Sequence, residues 1–124
     1  MRTAAQQLGD AAEELVAARL ERAGWRILGR RVRVGRAELD LVAVDPTEPS
    51  LVVVEVRWRS RRDFGLAEET IDHAKRGRLR RAGFALRERG LLPNGSALPP
   101  LPIRFDLIVV EPDGIVRHHR HGLA

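Results

Sequence analysis

The chain of 124 residues contains no cysteine, which excludes a disulfide, a thiolate metal site and a cysteine nucleophile. It has no tyrosine, two tryptophans and three phenylalanines, too few for an aromatic platform of the kind that stacks single-stranded bases. No apolar run approaches the roughly twenty residues of a membrane-spanning helix. The opening Met1-Arg2-Thr3-Ala4-Ala5-Gln6-Gln7 lacks a basic stretch followed by an apolar segment, so no secretory signal is expected and the expected address is cytoplasmic, away from membranes. Lysine is almost missing too. Of the 22 basic residues all but Lys75 are arginine.

What is present fits one compact domain over residues 1–124. A mass of 13.9 kDa is enough to bury a core and too little for two ordinary domains. Hydrophobic residues at 44% and charged residues at 31% exclude wholesale disorder. Against 17 acidic residues the 22 basic ones leave a formal charge of +5, a field that attracts polyanions. Nucleic acid, DNA first, is the expected partner, and a homodimer remains open.

Leu8, Ala12, Leu15, Val16 and Leu20 recur at helical spacing ahead of Gly24, predicting an amphipathic helix over about residues 3–23. Three alternating or β-branched stretches follow, Trp25 to Val34, Arg36 to Val44 and Leu51 to Trp58, read as a meander of strands. A second helix is expected from about Leu66 to Arg89, with Ile71, Leu79, Ala82 and Leu86 as its stripe and Gly90 as its stop. Gly77 and Gly83 weaken that helix. The proline-rich segment Leu91 to Pro102 reads as a crossing loop, Ile103 to Val110 as an apolar strand and Ile115 to His118 as a short one. The order predicts an α/β fold with a mixed central sheet flanked by helices.

Charged residues inside these apolar patterns need a reason. Strict alternation puts Glu38, Asp40, Val42 and Val44 on one face of the second strand and Leu39, Leu41 and Ala43 on the other. On the third strand Glu55 and Arg57 share a face with Val53 after an unbroken apolar run typical of central strands. Two carboxylates on neighbouring strands, with a cation two residues after the second, can hold a divalent metal, Mg²⁺ or Mn²⁺, through hard oxygen ligands. Glu13 lies on the apolar face of the first helix, whereas Glu14 is turned toward its polar side; Lys75 lies on the stripe of the second helix.

Each of these residues also has a plainer reading. Singly, Asp40 or Glu55 is half of a buried ion pair, Glu13 faces solvent beside the stripe, Glu38 pairs with an arginine, and Lys75 extends its amine past the core to water. Basic residues cluster in Arg57-Trp58-Arg59-Ser60-Arg61-Arg62 and in Arg76-Gly77-Arg78-Leu79-Arg80-Arg81. Arg59, Arg61, Arg62 and Lys75 are the candidate phosphate contacts, which would give sequence-independent, salt-sensitive affinity. The alternative for the second cluster is a solvated helix face. The tail Arg117-His118-His119-Arg120-His121 reads as a terminal strand with exposed imidazoles rather than a metal tract.

Six ordered blocks, Ala12-Glu13-Glu14-Leu15, Gly24-Trp25-Arg26-Ile27-Leu28, Ala37-Glu38-Leu39-Asp40-Leu41, Val53-Val54-Glu55-Val56-Arg57, Phe64-Gly65 with Lys75 downstream, and Arg104-Phe105-Asp106, resemble the UPF0102, or YraN-like, family of bacterial proteins. The resemblance covers nearly the whole chain. It implies a restriction-endonuclease-like fold carrying a PD-(D/E)xK signature, with Glu13, Asp40 and Glu55 as the site carboxylates and Arg57 at the position of the signature lysine. Small residues, Ala12 and Ala37, stand where the family places glycine. Arg57 is the weightier departure, because an arginine stays charged and can only stabilise negative charge or position a phosphate. The expectation is a divalent-metal-dependent nuclease-like protein acting on DNA phosphodiester bonds. The alternatives are a nucleic-acid-binding module that keeps the fold without hydrolysis, and a structural protein with a buried ion cluster.

Overall fold

A computed structural model of the chain describes residues 1–59 and 71–123. Helix α1 spans Ala4–Arg22 and begins in a reciprocal cap: the Thr3 hydroxyl accepts the Gln6 N–H at 3.1 Å while the Gln6 side chain accepts the Thr3 N–H at 2.8 Å. Its buried face is Ala12, Val16, Ala17 and Leu20. Leu8 and Leu15, expected in the stripe, are exposed: Leu15 lies a hundred degrees off the line through Ala12 and Val16, and Leu8 precedes the buried segment by one turn.

The strands are β1 (Arg26–Val34), β2 (Ala37–Asp45), β3 (Ser50–Trp58), β4 (Ile103–Val110) and β5 (Val116–His119), lying in sequence order in one five-stranded sheet. Strands β1, β2 and β3 form the expected antiparallel meander, β4 runs parallel to β3, and β5 returns antiparallel. The parallel step requires a crossover, which helix α2 (His73–Arg89) and the loop after it supply. The α2 start expected at Leu66 lies outside the described residues. Ile71 is buried but precedes the helix, whose cap is the Asp72 carboxylate accepting the Lys75 N–H at 2.7 Å.

The helices cover opposite faces of the sheet. Leu79, Ala82 and Leu86 of α2 pack with Val42, Val53, Phe105 and Leu107, whereas Ala12, Val16 and Leu20 of α1 pack with Leu41, Val52, Val54 and Ile108. Covered on both sides, β3 is buried without a break from Leu51 to Val56, which is why it reads as a continuous apolar run. Each such valine or leucine stabilises the fold by about 1.5–3 kcal/mol. Gly83 lets α2 approach β4: a Cβ there would stand 2.4 Å from the Phe105 ring, so the glycine that weakens the helix in sequence is required by the packing.

One part of the strand reading is corrected. Leu39 packs on the α2 side with Val42, while Leu41 and Ala43 pack on the α1 side, so the alternation reverses between Leu39 and Leu41. The cause is local. The β1–β2 ladder pairs Arg30 with Leu41 and Val32 with Leu39 but not Arg31 with Asp40, and Arg31 has φ +49°, a left-handed backbone rare outside glycine. The β2–β3 ladder likewise ends at Leu41 and Val54. Asp40 therefore sits at a gap in the β1–β2 ladder and just past the end of the β2–β3 ladder.

Candidate active site

Freed from the ladder, the Asp40 carboxylate accepts the Val56 N–H at 2.8 Å. This puts it against Glu55, the preceding residue of β3, which is only 6% exposed, and the two side chains share a hydrogen bond. Burial first, then the charge of Glu55 and that shared bond, push the Asp40 carboxyl up to about 8, over the opposing effects of the Val56 N–H and the Lys75 charge. The Asp40 carboxyl thus keeps a proton near neutral pH. Asp40 and Glu55 lie on the adjacent strands β2 and β3, and the Val56 bond rather than strict alternation brings the first beside the second.

Lys75 reaches the same point from the first turn of α2, with Nζ 3.7 Å from Glu55 Oε1 and its side chain about one-third exposed. The only lysine of the chain therefore stands beside the carboxylate pair, held by a backbone that Asp72 caps. Arg57 lies two residues beyond Glu55, half-buried, with Val109 as its β4 partner.

Glu13 approaches from α1. Burial and the charge of Asp40 raise its pKa, while a hydrogen bond from Arg31 Nε at 3.1 Å lowers it. Arg31 also ion-pairs with Asp10, so the left-handed residue opposite Asp40 clamps the acidic side of α1. Among the described residues no three His, Cys, Asp or Glu side chains gather as a metal cluster. Asp40 and Glu55 touch, and Glu13 is near them but bonded to arginine. Glu14 pairs with Arg30, and Glu38 is exposed with Arg33 at 3.8 Å, both as their positions in the pattern suggest.

Of the candidate phosphate contacts, Arg59 is engaged by Glu111 at 3.4 Å, and Arg61 and Arg62 lie outside the described residues. The pattern missed a second ionic group on the α1 face. Buried Arg104 forks onto Asp106 through two bonds of 2.9 Å, lies 3.0 Å from Asp45, and stands 5.5 Å over the Trp25 ring. His118 Nε2 is 2.8 Å from the same Asp106, so this imidazole is a partner of the core rather than a free tail group. Burial alone would raise the Asp106 carboxyl; the bonds from His118, Arg104 and the His121 N–H outweigh it and hold it down at about 2. The available signal was two opposite charges, Arg104 and Asp106, at strand spacing within an apolar run.

Among the described residues no helix is long and apolar enough to cross a membrane. A solved structure of Pyrococcus furiosus SfsA in complex with Ca²⁺ is similar at 18% identity and a TM-score of 0.36; the likeness covers 94% of this chain and 63% of that one. UPF0102 proteins of Moorella thermoacetica and Pelotomaculum thermopropionicum are 41% and 40% identical to it. The first comparison covers 84% of this chain and 78% of the relative, the second 98% and 96%. A UPF0102 protein of Symbiobacterium thermophilum is 40% identical, over 90% of both chains. The family described as "Uncharacterised protein family UPF0102" matches residues 12–110, and the chain belongs to it.

Proposed function

We propose that the protein is a divalent-metal-dependent, nuclease-like member of the restriction-endonuclease-like class, acting on phosphodiester bonds of nucleic acid, DNA first. The observation that carries this reading is the meeting of Asp40 and Glu55 at the point where β2 leaves β3, with the Lys75 amine 3.7 Å from Glu55. The half-buried Asp40 meets the buried Glu55, and burial with the like charge of Glu55 favours a proton on Asp40.

Two hard oxygen donors in a desolvated corner fit Mg²⁺ or Mn²⁺, which would be held by Asp40 and Glu55 in place of that proton. Bound there, the cation would supply Lewis-acid activation of water and neutralise charge on the phosphate. The chain's own residues contribute the rest. Glu13, once parted from Arg31, adds a third carboxylate from α1. Arg57 stabilises the negative charge that grows on the phosphate but takes no proton, since guanidinium stays charged. Lys75 keeps a second positive group beside Glu55.

The position of Arg57 also favours a second reading, a nucleic-acid-binding module without hydrolysis. Cleavage assays on plasmid, branched and single-stranded substrates with Mg²⁺ or Mn²⁺ separate the two. On the nuclease reading the wild type cuts, Arg57→Lys retains or increases cutting and Arg57→Ala loses much of it. Inert wild type restored by Arg57→Lys marks a silenced enzyme. No cutting by either, with nucleic acid still bound, establishes the binding module.

A further inference from the structure

Some of the described arginines meet carboxylates and others do not. Around α1 and β1, Arg2, Arg30, Arg31 and Arg33 all meet carboxylates, and Arg59, Arg104, Arg117 and Arg120 do so around β4 and β5. Of the arginines with no carboxylate partner among the described residues, Arg36, Arg78, Arg81 and Arg89 line one groove between α2 and the β1–β2 turn, while Arg19, Arg22, Arg26, Arg80 and Arg87 lie outside it. The groove has a volume of about 680 Å³ and includes Lys75 at one end, so it opens onto the carboxylate pair. Glu38 is its one acidic lining residue, and that residue already faces Arg33.

Helical geometry makes the groove a track. Positions 75, 78, 82, 85 and 89 advance by three, four, three and four residues, so Lys75, Arg78, Ala82, Ala85 and Arg89 follow one line along α2. That line is about 21 Å long. Cations stand at its two ends, while Ala82, Ala85 and Leu79 make a low apolar floor between them. Arg80 and Arg87 belong to the same helix but do not line the groove.

We propose that this groove binds a single strand of nucleic acid, with phosphates on Arg36, Arg78, Arg81 and Arg89 and with sugar and base faces over the apolar floor. The proposal deepens the nucleic-acid reading above and rests on it for the identity of the polyanion. A duplex turns its phosphates outward and hides its base faces in the stack, so it matches the cationic rim but leaves the floor uncovered. A single strand offers both surfaces at once. Recognition is then through backbone charge and is indifferent to sequence, since the lining supplies no aromatic ring and no amide side chain to read base edges. The track leads along α2 to Lys75 and so delivers a strand to Asp40 and Glu55.

The test compares two double variants that remove equal charge from one helix, Arg78→Ala/Arg89→Ala in the groove and Arg80→Ala/Arg87→Ala off it. Binding of a fluorescent oligodeoxynucleotide of about twelve nucleotides is followed by anisotropy in EDTA, where cutting is suspended, across a salt series. The groove pair is expected to lose about tenfold or more in affinity, and its plot of log K against log salt to become shallower by about 1.4 for two lost phosphate contacts. The off-groove pair is expected to stay near wild type on both measures. Equal losses in the two doubles would overturn the proposal, showing attraction by net charge alone. So would a wild type that fails to bind at low salt, or one that prefers the matched duplex. Thermal melts of both doubles guard against loss of fold. Selective binding without cleavage in Mg²⁺ or Mn²⁺ would leave the groove standing and remove only the nuclease reading; cleavage with equal losses would do the reverse.

Discussion

Asp40 accepts the Val56 N–H at 2.8 Å, one residue beyond Leu41 and two beyond Val54, the last pair of the β2–β3 ladder. A side chain has taken the place of a backbone partner, and in doing so it is held against Glu55. The arrangement uses one strong bond to keep a carboxylate where burial and a like charge oppose its ionisation.

The first consequence is a pH dependence of stability. Asp40 titrates at about 8 in the fold against 3.8 ordinarily, so the folded state binds more protons between those values. The stability from protonated Asp40 is fully present below about pH 4 and is lost as pH rises through about 8. Urea melts should show wild type weakening from pH 5 to pH 9, and Asp40→Asn should flatten that decline, because an amide still accepts from Val56 and carries no charge. Parallel declines in the two proteins would show that other groups set the slope.

The neighbours of Asp40 should move its titration in opposite directions. Glu55→Gln removes the like charge and should lower the Asp40 pKa, while Lys75→Met removes a favourable one and should raise it further. Carboxyl-carbon NMR titration of the labelled side chain reads both shifts. An unmoved Asp40 in Lys75→Met would separate the amine from the site.

The Arg104–Asp106 fork should behave as a true ion pair. Asp106→Asn leaves the buried guanidinium with Asp45 at 3.0 Å and Glu48 at 3.3 Å as its remaining carboxylate partners, and should cost about 3 kcal/mol by chemical denaturation. Asp106 is held at about 2 against 3.8 ordinarily, so its stabilisation is present above about pH 4 and is lost as pH falls through about 2. Wild type should therefore weaken across that acid window and Asp106→Asn should weaken less.

Two helix glycines should differ in sign. Gly77→Ala meets only the movable end of Arg81 at 3.2 Å and should stabilise α2 by about 0.5–1 kcal/mol. Gly83→Ala gains the same propensity but drives a Cβ into the Phe105 ring, and should be destabilising by about 1–2 kcal/mol net. Melting temperatures of the two variants check this directly.

These glycines also mark what could be read in advance. Helical spacing locates α1, and β-branched runs locate β1 to β3 within a residue or two, because both periodicities follow from burying one face. Ile103 to Val110 is recovered in full as β4. The reversal at Asp40 was not legible, since it depends on Arg31 taking a left-handed backbone, which no local residue preference demands. Asp40 and Glu55 were nonetheless singled out, because a charge inside an apolar strand is costly whichever way it points. Lys75 was visible as a lone lysine on an apolar stripe, but its distance to Glu55 is set by how α2 lies on the sheet. The same tertiary fact separates the groove arginines from their neighbours on α2, which the sequence presents as one undivided basic cluster.

The most direct test of the account is calorimetric titration of the apo protein with Mn²⁺ near pH 7.5, in buffers of differing ionisation enthalpy, for wild type and Asp40→Asn. Wild type should take up Mn²⁺ with release of a proton, seen as a binding enthalpy that changes with the buffer, because the cation replaces the proton held by Asp40. Asp40→Asn should show no such uptake. Absence of Mn²⁺ binding by folded wild type, or equal binding by folded Asp40→Asn, would contradict the assignment of this carboxylate pair as the metal site of a nuclease-like protein.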